Sequence, residues 1–138
     1  MDESDIYRSI GEEGFARLVA AFYRQVPSDD ILGPMYPPDD LAGAEQRLRD
    51  FLVGRFGGPS RYIEARGHPR LRMRHAPYVI DSRARDRWVT LMSNALHEAN
   101  LPHEVALVLG PFFESVASMM MNAMGGGPPT LKTHLPVT

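Results

Sequence analysis

The chain has 138 residues, 43% of them hydrophobic, with 15 basic and 17 acidic side chains, a formal net charge of -2 and no cysteine. This length suits one compact domain with a real apolar core, and the lack of cysteine excludes disulfides, thiolate zinc sites, iron–sulfur clusters and cysteine nucleophiles. The near-balanced charge offers no basic face for nucleic acid, and the acidic start Met1-Asp2-Glu3-Ser4-Asp5 has no apolar signal core. No apolar run approaches the ~20 residues that span a bilayer, so the expectation is a soluble cytoplasmic protein without membrane or nucleic-acid partners.

Helical periodicity dominates in chain order. From Glu12 to Val26, the residues Phe15, Leu18, Val19, Phe22 and Val26 follow the spacing of one buried stripe. Pro27 and Ser28-Asp29-Asp30 stop it. Gly33-Pro34-Met35-Tyr36-Pro37-Pro38 reads as a loop, because its prolines forbid regular helix. Asp39 or Asp40 is placed to cap a second helix that carries Leu41, Ala44, Leu48, Phe51 and Leu52 and ends at Gly57-Gly58-Pro59. The basic stretch from Ser60 to Pro77 is broken by Gly67, Pro69 and Pro77. It reads as irregular with one or two short helical pieces, and Leu71 to His75 is long enough for a turn that stops before Pro77.

Asp81 or Ser82 starts a long helix with Trp88, Leu91, Met92, Ala95, Leu96 and Ala99 inward. It breaks at Asn100-Leu101-Pro102, where proline suits the first turn of the next helix. Val105, Leu109, Phe112, Phe113, Val116 and Met120 mark the last helix, expected to run to about Met124 before Gly125-Gly126-Gly127-Pro128-Pro129. The tail to Thr138 has no periodicity and is expected to be mobile. No segment alternates as a strand does, so the fold class is all-α.

Without cysteine, metal chemistry falls to the carboxylates and five histidines. A haem iron needs an imidazole at the wall of an apolar slot. His75 and Leu71 lie i, i+4 on one turn and share a face. His68 is in a loop, His97 near an apolar stripe's edge, His103 at a helix start and His134 in the tail. Spacing alone leaves His75 open between iron ligand and surface or cap histidine. Tyr23, Tyr36 and Trp88 are polar aromatics that need a hydrogen-bond partner if buried; each alone is compatible with ordinary packing, and together they would supply donors around one apolar cavity. No His-x-x-x-His pair supports a zinc hydrolase, and no Gly-x-Gly-x-x-Gly run supports a nucleotide site.

The succession Phe22-Tyr23, Tyr36-Pro37, Leu41-Ala42-Gly43-Ala44-Glu45, Gly57-Gly58-Pro59, Gly67 to Pro77 and Trp88 resembles the truncated haemoglobins. It is most similar to their second group, typified by actinobacterial members. The resemblance runs from about Ile6 to Met124 and departs at Gly11-Glu12, where many members carry paired glycines. It implies a globin domain over 1–124 with a tail over 125–138, folded as a two-on-two helical sandwich around one haem b per chain. His75 matches the proximal iron ligand. Tyr23, Tyr36 and Trp88 match distal polar positions, and Ala44 and Leu48 match distal positions of the covering helix. Ala44 stands where many oxygen-binding globins have histidine. Arg47 could reach a propionate, Arg72 and Arg74 are further candidates, and Phe22 and Leu71 complete the expected site.

The implied ligands are dioxygen, nitric oxide and carbon monoxide, with slow oxygen release. Nitric-oxide oxidation or peroxidase-like turnover would need a separate electron-donating reductase. A gas sensor would need an output partner, and a cofactor-free helical interaction module with a structural His75 is the contrasting reading. The surplus of Phe112, Phe113 and Met119 to Met121 leaves core and homo-oligomer interface both open.

Overall fold

The structure is a computed structural model that describes residues 1–68, 70 and 79–122, and its described elements are all helical. Short 3-10 turns occupy Glu3–Asp5 and Gly33–Met35. The helices are α1 Ile6–Gln25, α2 Leu41–Arg55, α3 Arg61–Arg66, α4 Ser82–Glu98 and α5 His103–Met120.

The stripe read in α1 is the centre of the core. Phe15, Leu18, Val19 and Phe22 are fully buried. The helix begins six residues earlier than its periodicity indicated and is split by Gly11, whose φ of 65° and ψ of -174° lie in a region that essentially only glycine enters. The proline-rich loop contains one 3-10 turn, with Pro34 in its first positions, where a missing N–H costs nothing. Asp40 does sit at the start of α2 but makes no capping bond; its carboxylate instead accepts from Arg47 Nη2 at 3.1 Å. Helix α2 closes at Gly57, which has a φ of 102° and lies so near the Ser4 carbonyl that an added Cβ would be 2.8 Å from its oxygen.

The Asp81 expectation holds: its buried carboxylate accepts from the Ala84 amide at 3.0 Å and caps α4. Helix α5 buries Val105, Leu109, Phe113, Ala117 and Met120, a four-, four-, four- and three-residue spacing that keeps one face inward. It tolerates Pro111 where the carbonyl lacking a partner belongs to Leu107, which is 62% exposed. The helix ends at Met120 instead of about Met124. There Asn122 leaves helical geometry to pair with Ile80, its Oδ1 accepting from the Ile80 amide at 2.8 Å and its own amide donating to the Ile80 carbonyl at 2.9 Å. That double bond ties the end of α5 to the entry of α4.

Helices α1 and α2 pack as one pair, α4 and α5 as another, and α1 against α4 joins them. Aromatic contacts cross the joint, with Phe22–Trp88 centroids at 5.5 Å and Trp88–Phe113 at 5.7 Å. The result is the expected two-on-two sandwich. Among the described residues no helix is long and apolar enough to cross a membrane. The 124/125 domain boundary and the tail lie outside the described residues.

A Gly11→Ala chain meets no steric contact at the new Cβ but must adopt the same strained backbone. Denaturant unfolding should therefore show a loss of about 1–3 kcal/mol, with the m-value unchanged.

Candidate functional site

A cavity opens between the two helix pairs. It takes in about 1020 Å³ of space unfilled by atoms, its open mouth included. Its walls are mainly apolar: Ala44, Leu48 and Phe51 from α2, with Phe113, Val116 and Met120 from α5. Polar groups are few and concentrated.

Tyr23 from α1, Tyr36 from the proline-rich loop and Trp88 from α4 all line the cavity, so three elements distant in sequence bring them to one place. The Tyr23 and Tyr36 rings meet edge to face, centroids 5.6 Å apart and planes at 87°. The polar ends of Tyr23 and Trp88 lie close enough to the Tyr36 hydroxyl to act on its pKa, each lowering it, and Tyr36 raises that of Tyr23. An indole nitrogen only donates, so Trp88 brings a donor to this cluster, and each phenol brings a hydroxyl that can donate or accept. Tyr36 keeps some exposed surface as a residue, yet burial raises its pKa to about 12, against the nearby Trp88 and Tyr23, which lower it. Burial, then the adjacent Tyr36, hold Tyr23 well above its ordinary value too. Both phenols therefore keep their protons at neutral pH.

Phe22 does not line the cavity. It is fully buried behind it, edge-on to Tyr23 at 5.1 Å and tilted on Trp88, so it backs the polar residues instead of facing a ligand. Arg47 does line the cavity, as expected, with its Nη2 on Asp40. Its Nε is buried without a hydrogen-bond partner, a donor that an entering carboxylate would satisfy. Leu71, Arg72, Arg74 and His75 lie outside the described residues. Ile80, just beyond that stretch, lines the cavity.

Sequence reading missed Arg85 and Tyr62, both in the cavity wall. Arg85 had a signal: it lies i, i+3 from Trp88 and so shares its helix face. Its Nε donates to Ser118 Oγ at 3.1 Å, which links α4 to α5 beside the cavity. Tyr62 sits on α3, inside the basic segment read as irregular, where no periodicity marked an inward face; it packs edge-on to Phe51 at 5.8 Å.

The bacterial-like globin family matches residues 5–124, and the chain belongs to that family, within its group 2 truncated haemoglobins. It is 37% identical to the group 2 truncated haemoglobin of Bacillus subtilis, over 84% of this chain and 87% of that one. Among solved structures it is similar to a thermostable haemoglobin of the actinobacterium Thermobifida fusca, with TM-score 0.82, 47% identity and coverage of 85% of this chain and 96% of that one. It is also similar to a truncated oxygen-avid haemoglobin of Bacillus subtilis, with TM-score 0.81, 37% identity and coverage of 85% and 98%. Membership in the globins carries haem binding and the binding of diatomic gases such as dioxygen. The site fits that group: a slot with apolar walls for the macrocycle, an unsatisfied buried guanidinium N–H for an acidic substituent, and a polar cluster at one end for a small gas.

The raised tyrosine values have a testable sign. A neutral Tyr36 contributes stability that is fully present below about pH 10 and is lost as pH rises through its folded value of about 12. Ultraviolet difference titration of the five tyrosines should show late ionisation at the alkaline end, and Tyr36→Phe should remove one late step.

Proposed function

We propose that the chain binds one haem b with His75 on the iron, and holds dioxygen, nitric oxide or carbon monoxide against the Tyr36 hydroxyl, with slow oxygen release. The observation that carries this reading is the convergence of Tyr23, Tyr36 and Trp88 on one otherwise apolar cavity. Haem, when bound, supplies a ferrous iron whose free face takes up a diatomic gas.

The rest is work for the chain's own residues. Tyr36 offers its O–H to the gas, and its raised pKa keeps that hydrogen in place at physiological pH. Tyr23 and Trp88 stand beside it and, by donating to its oxygen, would fix where that hydrogen points. Ala44 is buried and brings only a methyl group to the cavity, so no side chain at that position competes for the gas. Leu48 and Phe51 keep water away from α2's side. Arg47 holds a propionate through its free Nε while Asp40 keeps its Nη2 in place, and Arg72 adds to this grip.

The globin unit takes in residues 1–124, with 125–138 as an appendage, and the protein works in the cytoplasm. Turnover of nitric oxide or peroxide would draw electrons from a separate reductase.

A Soret band in purified protein that disappears in His75→Ala is the first test. A colourless protein that folds and ignores added haem would favour the cofactor-free module. A neutral hydrogen bond is worth about 1 kcal/mol and one to a charge-bearing acceptor about 1.5–3 kcal/mol. Stopped-flow release from Tyr36→Phe should therefore be about ten- to a hundredfold faster at ~1.4 kcal/mol per tenfold. Trp88→Phe and Tyr23→Phe should show smaller increases, since each removes only an aiming bond.

A further inference from the structure

The Tyr36 hydroxyl is only as well placed as the loop that carries it. Val26 ends α1, and the chain reaches α2 through the segment 27–40, whose prolines at 27, 34, 37 and 38 restrict its backbone. Its first turn is organised by Asp29. One carboxylate oxygen of Asp29, Oδ2, accepts from the Leu32 amide at 2.7 Å and from the Ile31 amide at 3.1 Å. The Asp29 carbonyl accepts from the Gly33 amide at 3.0 Å, and the Gly33 carbonyl accepts from the Tyr36 amide at 3.3 Å. Asp29 thus fixes one end of a relay of turns whose other end is Tyr36.

The second carboxylate oxygen points elsewhere. Asp29 Oδ1 receives Arg87 Nη1 at 2.5 Å, and the Asp29 side chain is only 7% exposed. Arg87 is the residue before Trp88 on α4. The same guanidinium nitrogen also reaches Asp30 Oδ1 at 2.8 Å, but Asp30 is 81% exposed, where an ion pair contributes little. The Asp29 bond is therefore the stronger tie. Burial pushes the Asp29 carboxyl up, but the Leu32 amide, Arg87 and the Ile31 amide together hold it below the usual carboxylate value, so the pair is charged throughout the neutral range.

We propose that the Asp29–Arg87 pair is a positioning latch, which locks the Tyr36 loop to the turn of α4 carrying Trp88 and so sets how the Trp88 indole N–H and the Tyr36 hydroxyl stand to each other in the cavity. This rests on the gas-binding reading above. Hydrogen bonds weaken steeply with misalignment, and the loop's restricted backbone passes a shift at Asp29 on to Tyr36. Neither Asp29 nor Arg87 touches the cavity, so their effect on a bound gas would be wholly indirect.

The chain has a single tryptophan, so the carbon-monoxide complex gives one indole N–H resonance, a direct report on the Trp88 donor. In Arg87→Met this resonance should exchange with solvent about tenfold faster than in the wild type, and dioxygen release should accelerate several-fold. Arg87→Lys, which keeps the charge, should recover part of both effects. Asp29→Asn, which keeps an oxygen for the Leu32 amide, should reproduce them if Arg87→Met proves too unstable to load with haem. Asp30→Asn should leave both readings at wild-type values. A haem-loaded Arg87→Met or Asp29→Asn that melts earlier yet keeps wild-type indole exchange and oxygen release would make the pair merely structural and overturn the latch. A wild-type protein that takes up no haem would instead sink the functional reading, and the latch's purpose with it.

Discussion

The cluster of Tyr23, Tyr36 and Trp88 is the point on which the distal half of this molecule depends. These residues come from α1, a loop and α4 and meet in one otherwise apolar cavity, the two phenol rings edge to face at 5.6 Å. In water their polar ends would be satisfied by solvent. Among apolar walls each needs a polar neighbour, and removing one leaves another short of a partner. Three elements distant in sequence are thereby drawn to one place.

Around that point the structure keeps a space open that a small all-helical chain would otherwise fill. Two helix pairs meet through Phe22, Trp88 and Phe113, large rings that brace the joint without closing it. The margins are fixed locally: Asn122 pairs with Ile80 and ties the end of α5 to the entry of α4, and Gly57, just past α2, lies under the Ser4 carbonyl. The first of these sets where α4 and α5 meet, with Ile80 and Met120 both in the cavity wall.

Charge follows the same economy. Arg47 reaches Asp40 with one terminal nitrogen and keeps its Nε buried and without a partner. A guanidinium rarely tolerates that unless something else supplies an acceptor. The loss of a side-chain cap at the start of α2 has the same origin, because Asp40 answers the arginine seven residues later in place of the backbone amides. On the far side of the distal cluster, the Asp29–Arg87 pair spends one carboxylate on both a turn and a helix.

Residue types and spacing determined much of this protein by themselves. The periodicity of Phe15, Leu18, Val19 and Phe22 dictated α1's buried face, Asp81 announced its own cap, and the succession from Phe22-Tyr23 through the run Gly67 to Pro77 and on to Trp88 resembled the group 2 truncated haemoglobins. Periodicity reads only neighbours along one helix, however. It put Phe22 rightly in the buried stripe, while the family resemblance counted it in the site; and periodicity ran α5 past Met120 because it could not register Asn122's bond to a residue 42 positions earlier. It gave no inward face to Tyr62, on a helix only six residues long. The sequence offered Tyr23, Tyr36 and Trp88 as a set of polar aromatics; only the tertiary structure, by bringing α1, the proline-rich loop and α4 to one cavity, decided that they meet. Such a meeting depends on how elements pack in space, and no pattern along one helix encodes it.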